Sequence, residues 1–446
     1  MSERVRQRQH QQCYFISLSP IQDGRPVADM RKSIDVFGRI VPPALQSPRD
    51  LGVFGYQVSC RALAKWLKHS IRIRWHQLLR RMEDSHPKED ATCSTVVHAP
   101  KMMMTISEHK SDGRFVNPWP TWKQPSLFNL LQWKLMERNH NRIPHKEELD
   151  RTLPIRTPYF MQSSCDTSVL DGNLRVTWLG HASTLVELDG TMILTDPMFS
   201  KRASPSLWFG PSRYRDAPCD VDQLPENVRA VVISHNHYDH LDYNTVINLN
   251  QRFGDALHWF VPLGLASWMR ASGCKTVTEL DWWQEELLPG TSVSLAATPC
   301  QHWSRRTISD ENRTLWASWC LLGPKHRVFF AGDTGYCSGF QQIGHRYGPF
   351  DIALIPIGAY APRWFLKFQH VNPEEAVHVH QDVLARHSLG IHWGTFPLSD
   401  EHYLEPREEL ERARERHGLT EEDFFVLEHG ASWQTSAIVS AHRDNL

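Results

Sequence analysis

Residues 233–242 read ISHNHYDHLD, three histidines and two aspartates at the end of the apolar, β-branched run AVVIS (230–234). Such a run reads as a buried strand, which puts HNHYDH in the turn at its C-terminal end. Ligand sites in α/β folds favour that position. In an extended segment His235 and His237 point the same way and can share one metal, while Asp239 and His240 lie a step further on and reach a neighbouring one. Imidazole with carboxylate suits zinc, or less specifically iron or manganese. Four donors do not complete two sites. His302 in TPCQHW, Asp333 in VFFAGDTG and His392 in LGIHWGT each follow a strand-like run and are the candidates for the rest. If these were core histidines instead, several crowded titratable groups would be buried without a cation, at high cost.

The 446 residues are 41% hydrophobic and 22% charged, a globular composition long enough for one large domain or two ordinary ones. A net charge of -1 carries no signal for nucleic acid, and the region around the metal motif has no basic run that would line a nuclease channel. Nine cysteines without a CxxC pair suit a reducing, intracellular compartment rather than a disulfide framework. The polar start MSERVRQRQHQQ and the lack of any apolar run near the roughly 18 residues of a spanning helix predict neither secretion nor a transmembrane segment. Any membrane contact is then peripheral.

Residues 1–110 are irregular, with roughly eight more basic than acidic side chains, and are expected to be a largely disordered extension. Within it CRALAKWLKHSIRIRWHQLLRRMED spaces apolar residues helically among Lys and Arg, predicting a basic amphipathic helix near 61–83. That helix either docks on a membrane surface or packs on the main domain. Residues 111–446 are expected to form the catalytic domain, opening with a segment near 115–137. There Pro118, Pro120 and Pro125 precede a helix capped by Ser126. Trp119, Trp122, Leu127, Phe128 and Trp133 are the expected membrane-facing residues of this segment. From Leu174 onward the pattern is α/β: RVTWLGHASTLVELDGTMILTDP predicts two strands meeting at Asp189-Gly190. Further runs stand at 258–262, 327–332, 352–356 and 388–394, with PEEAVHVHQDVLARH a helix between two of them.

VTWLGHAS, TDPMFSKRASP, ISHNHYDHLDYN, FVPLGL, ELDWW, FFAGDTGYC, IPIGAYAPRWF, QHVNPEEAVHVH, IHWGTF and EHYLEP occur in that order. Together they resemble the N-acylphosphatidylethanolamine-hydrolysing phospholipase D family of the metallo-β-lactamase fold superfamily, from about Ser111 to about His429. The resemblance implies an α/β fold, an αββα sandwich with a dinuclear site at one edge and two Zn2+ per chain. It implies that His235, His237 and His302 hold one zinc, that Asp239, His240 and His392 hold the other, and that Asp333 bridges them. Substrate contacts fall on Tyr238 and His370. The implied reaction frees N-acylethanolamine and leaves phosphatidic acid at a membrane surface. The two metals lower the pKa of a shared water, and the resulting hydroxide attacks the phosphodiester in line. His370 or a metal-bound water protonates the departing oxygen. The family further suggests a homodimer, a channel admitting bile-acid-like amphiphiles, and the cytosolic face of Golgi or endosomal membranes.

His181 in WLGHAS has no motif partner and reads as a group orienting its neighbours, while Cys337 and the Trp pair of DWW read as structural. Two rivals compete with the phospholipase: another hydrolase of this fold, such as a lactonase or other phosphodiesterase, and a non-catalytic lipid-binding protein stabilised by zinc. Structural zinc sites are usually closed and rich in cysteine, unlike this donor set.

Overall fold

A computed structural model describes residues 103–137, 139–161, 173–206 and 208–435. The helix expected near 61–83 lies outside the described residues, as does most of the extension.

A two-stranded ribbon, β1 (Glu108–His109) and β2 (Phe115–Val116), precedes two seven-stranded mixed sheets. The first sheet contains β3 (Leu174–Gly180), β4 (Ser183–Leu188), β5 (Thr191–Thr195), β6 (Val228–Val232), β7 (His258–Pro262) and β8 (Thr276–Leu280). The second contains β9 (Glu285–Leu287), β10 (Ser294–Thr298), β11 (Ser318–Leu322), β12 (Arg327–Phe330), β13 (Phe350–Pro356), β14 (Ala385–Ile391) and β15 (Phe424–Phe425). The last strand, β16 (Ser432–Gln434), returns to the first sheet and pairs antiparallel with β3. Strands run antiparallel from β3 to β5 and parallel from β5 to β8; β9 to β12 are antiparallel and β12 to β15 parallel.

AVVIS shows why the layers form. Ala230 and Val232 pack in the core shared with β10, β11 and β12, whereas Val231 and Ile233 pack on the other side with Val246, Leu249 and Met269. Alternate residues of one strand therefore serve two cores, which is what a strand covered on both faces requires. Val246 and Leu249 lie on helix Tyr243–Phe253, while Phe340, Val377 and Leu410 come from helices that cover the second sheet. The resulting order is αββα. The Trp319 indole N–H crosses between the sheets to donate to the Ile233 carbonyl at 2.9 Å.

Asp189 and Gly190 both take positive φ, 47° and 86°, as a tight two-residue hairpin demands. The first of the two expected strands is in fact two. It breaks at Gly180 (φ 97°) and His181 (φ 52°) into β3 and β4, a turn hidden from the sequence because histidine rarely adopts this conformation. The helix expected over 373–387 ends at Asp382, and Leu384 at φ 59° redirects the chain into β14. Among the described residues no helix is long and apolar enough to cross a membrane.

Candidate metal centre

Every candidate donor emerges just beyond a strand end at one edge of the sandwich: His235, His237, Asp239 and His240 after β6, His302 after β10, Asp333 after β12 and His392 after β14. Gly332 makes the approach of Asp333 possible. It sits at φ 61°, and a Cβ there would lie 2.6 Å from the Ser234 Cβ. His181, Asp196 and His392 are non-glycine residues in the left-handed region, at φ 52°, 32° and 60°. Backbone strain of about 1–3 kcal/mol per residue is tolerated where it aims side chains at a common point.

The donors form two trios. His237 Nδ1 lies 2.8 Å from His235 Nε2 and 3.2 Å from His302 Nε2. His240 Nε2 lies 3.4 Å from Asp239 Oδ2 and 3.1 Å from His392 Nε2, which is itself 3.5 Å from Asp239 Oδ2. Asp333 stands between them: its Oδ2 is 3.1 Å from His240 Nε2, 4.0 Å from His235 Nε2 and 3.9 Å from His302 Nε2, and its Oδ1 is 3.0 Å from His392 Nε2. Donors roughly 2.0–2.1 Å from a tetrahedral ion lie about 3.3 Å apart, so these spacings fit metal ligation. The chemistry of the set, imidazoles with carboxylates and no thiolate, also suits divalent cations.

Electrostatics give the same answer. Burial would push the Asp333 and Asp239 carboxyls up, but neighbouring imidazolium charge, His240 foremost, holds both well below the usual carboxylate range. Burial opposes charge on His240 and His392 too, yet the Asp333 and Asp239 carboxylates outweigh it, lifting His240 well above its ordinary range and His392 to about 9. Burial keeps His235 and His302 neutral, as it does His237, lowered to about 4. Two carboxylates packed among these imidazoles thus favour positive charge at this spot, which divalent cations are suited to supply.

Outer partners fix the rings. Asp196 Oδ2 accepts from His240 Nδ1 at 2.6 Å and is held by Ser234, whose backbone N–H donates to its Oδ1 at 2.7 Å. His302 Nδ1 donates to the Gln369 carbonyl at 2.9 Å. Each contact leaves Nε2 as the free lone pair. His181 Nε2 lies 3.0 Å from Asp239 Oδ2, so it orients that carboxylate. Asp196 had no role assigned from sequence; its signal was a carboxylate directly after the strand TMILT. Cys337 is buried with its thiol pushed well up by desolvation, consistent with a structural residue, and Trp282 of DWW is core.

The trios open onto a cavity of about 620 Å³ whose floor includes His237, Asp239, Asp333 and His370. Tyr238 lines it with its hydroxyl donating to the Arg306 carbonyl at 2.8 Å and the Arg306 guanidinium 4.2 Å above its ring. The buried Nδ1 of His370 has no hydrogen-bond partner among the described residues and sits 3.8 Å from Asp333 Oδ2. Burial lowers this imidazole to about 4, so it is neutral near pH 7.

Two of the expected membrane-facing residues are instead buried. Trp119, 5% exposed, donates its indole N–H to the Cys300 carbonyl at 3.0 Å, so NPWP braces the loop that carries His302. Trp133, 6% exposed, donates to Asp400, packs with its ring tilted 40° and 5.3 Å from that of Phe365, and forms part of the cavity wall. Trp122 packs partly against the main core. Leu127 begins the helix Leu127–Met136, capped by Ser126 as expected. The exposed apolar face of that helix is Phe128, Leu131 and Leu135. A second exposed pair, Trp208 at 80% and Phe209 at 76%, projects from the loop whose Ala203 and Pro211 line the same cavity. Sequence reading missed this pair.

A family described as "Beta-lactamase superfamily domain" matches residues 191–393, a span that includes all seven donors. The N-acyl-phosphatidylethanolamine-hydrolyzing phospholipase D 1 of Caenorhabditis elegans is 42% identical over 339 residues, 72% of this chain and 92% of that protein. The mitochondrial protein of the same name from Saccharomyces cerevisiae is 31% identical over 381 residues, 77% of this chain and 79% of that one. Among solved structures, a metallo hydrolase from Ignicoccus hospitalis matches at 21% identity and a TM-score of 0.46, covering 59% of this chain and 99% of that one.

Proposed function

Since the chain belongs to the N-acylphosphatidylethanolamine-hydrolysing phospholipase D family, with a metallo-β-lactamase fold, and is a metal-dependent hydrolase, we propose that it is a two-zinc phosphodiesterase. Its reaction would hydrolyse N-acylphosphatidylethanolamine at membrane surfaces to N-acylethanolamine and phosphatidic acid. The observation that carries this reading is the pair of donor trios around Asp333 at the floor of a cavity walled by Leu130, Trp133, Phe365, Leu366 and Leu398. Charge at the base and hydrocarbon on the walls match a phosphodiester bearing acyl chains.

Two divalent cations in this site supply Lewis acidity, lowering the pKa of water and offsetting phosphate charge. The chain's own contribution is orientation. Asp196, Ser234 and the Gln369 carbonyl fix which imidazole nitrogens face inward, and Asp333 ties the trios together. His370 is neutral until an anion arrives. It serves first as a hydrogen-bonding group toward the phosphate or the departing ethanolamine oxygen, and an anionic ligand beside it raises its proton affinity. Arg305 and Arg306 on the cavity wall add positive charge toward the same anion.

Vesicles of defined composition containing N-acylphosphatidylethanolamine test the reading. N-acylethanolamine and phosphatidic acid should appear in equal amounts in the presence of zinc, and cease when a chelator removes it. Hydrolysis of a lactone or a soluble phosphodiester with none of the lipid cleaved would overturn it.

The exposed apolar groups on the two cavity-wall elements support a lipid-facing entrance at Phe128, Leu131, Leu135, Trp208 and Phe209. Fully burying one such side chain contributes roughly 1.5–3 kcal/mol, and partial insertion about half of that. Trp208→Ser with Phe209→Ser is therefore expected to weaken vesicle binding about tenfold or more in a sedimentation assay, with cleavage of detergent-dispersed substrate retained. Equal vesicle binding by variant and wild type would place the entrance elsewhere.

A further inference from the structure

Among the described residues, one more set of three donor side chains gathers without sharing any residue with the catalytic centre. Glu374, His378 and His417 each offer one atom, and all three atoms lie within 4.8 Å of one another. Glu374 and His378 are four residues apart on helix Pro373–Asp382, which sets them on one face, one turn apart. His417 is the last residue of helix Glu405–His417, which packs against the first. Its Nε2 lies 2.8 Å from Glu374 Oε1, and its ring meets that of His378 edge-on with centroids 5.1 Å apart.

Helix electrostatics explain part of the set. Glu374 lies in a first turn and His417 in a last turn, where their charges oppose the helix dipoles. They do not explain His378, which is half-buried beside the pair with neither ring nitrogen hydrogen-bonded among the described residues. Nor do they explain the division of labour on Glu374. Arg416 Nε donates to Oε2 at 3.0 Å, while Oε1 is turned toward the two imidazoles. A carboxylate held through one oxygen by a guanidinium, with the other aimed between two histidines, is the outer-partner arrangement that orients metal ligands.

We propose that Glu374, His378 and His417 form a third, separate zinc site that staples helix Pro373–Asp382 to helix Glu405–His417. Two imidazoles and one carboxylate are a zinc-type set, with solvent as the fourth ligand. The spacing closes by small side-chain rotations, since all three groups are half-buried rather than locked in the core. The neighbouring Arg416 charge, paired with Glu374, weakens the site relative to the same donors without it. The staple reaches toward the cavity through the next residue. Glu375 Oε2 accepts from Arg363 at 2.6 Å, and Arg363 donates to the His370 carbonyl at 2.7 Å.

The test compares the untagged full chain with His378→Gln and His417→Ala after equilibrium dialysis against micromolar zinc. Wild type should hold one zinc more per chain than either variant, with hydrolysis by both variants kept. Raising zinc to several times the site's dissociation constant should lift the wild-type melting temperature by about 1–2 °C more than that of either variant. The difference between chains is what is read, so the outcome does not depend on how many ions the catalytic centre holds. Equal zinc content in all three chains, or an equal melting response, would overturn the site.

Discussion

Replacing Asp333 by Asn is expected to lower the rate of phosphodiester hydrolysis by about a thousandfold or more while leaving the fold in place. The side chain is nearly isosteric, and its surroundings at the edge of β12 keep their packing. Charge is what changes. The Asp333 carboxylate lies within 4.0 Å of nitrogens from His235, His240, His302 and His392, so its negative charge faces both trios at once. An amide there presents either a weak neutral acceptor or an N–H pointed at imidazole nitrogens that must keep their lone pairs free. Positive charge then loses the strongest of its buried counter-charges, and at least one of the two cations should be lost as well. Metal content, circular dichroism and kcat measured on the same preparation separate the outcomes. A folded Asp333→Asn chain with full metal content and wild-type turnover would sink the two-trio description of the centre.

The donors were legible in the sequence because metal ligands are chemically rare side chains held in short spacings, and because β-branched runs announce the strands that carry them. HNHYDH, AGD and LGIHWG all emerge at strand ends, and the structure brings those ends to one edge. What the sequence hid was set by distant partners. Trp119 and Trp133 look alike in a Pro- and Trp-rich stretch whether they face lipid or core. Their hydrogen-bond acceptors lie 181 and 267 residues along the chain, beyond the reach of any local pattern. Trp208 and Phe209 were passed over for the opposite reason: a loop has no periodicity against which an exposed pair stands out. His181 was legible as an orienting group, but its pairing with Asp239 was not, and Asp196 was obscured altogether. The positive φ of His181 and Asp196 is a property of the turn that the finished edge imposes, not of the residue types.

Asp196 makes the sharper test, since it touches no substrate and reaches the chemistry only through His240. Asp196→Asn should lower metal affinity and activity about 10- to 100-fold in a chain that still folds. As a carboxylate, Asp196 accepts everything offered to it: the Ser234 backbone N–H on Oδ1, and the Ser234 hydroxyl and His240 Nδ1 on Oδ2. An asparagine can satisfy the backbone N–H only by keeping its oxygen at the Oδ1 position, which turns its NH2 toward His240. His240 Nδ1 must then become an acceptor and the ring proton moves to Nε2, the nitrogen that faces Asp239, Asp333 and His392. Flipping the amide instead sets two N–H donors against each other at a fully buried position, at a cost of about 1–3 kcal/mol. Either way the protein loses the tautomer that ligation needs, with little change of shape. Zinc titration should show the loss confined to one of two catalytic equivalents, partly recovered at high zinc because binding free energy can drive the proton back off Nε2. Ala at the same position removes the acceptor altogether and should add a loss of about 3–5 kcal/mol in folding stability. Wild-type zinc affinity in Asp196→Asn would mean that the orientation of His240 is set by packing, and that the buried carboxylate is there for the strand end rather than for the metal.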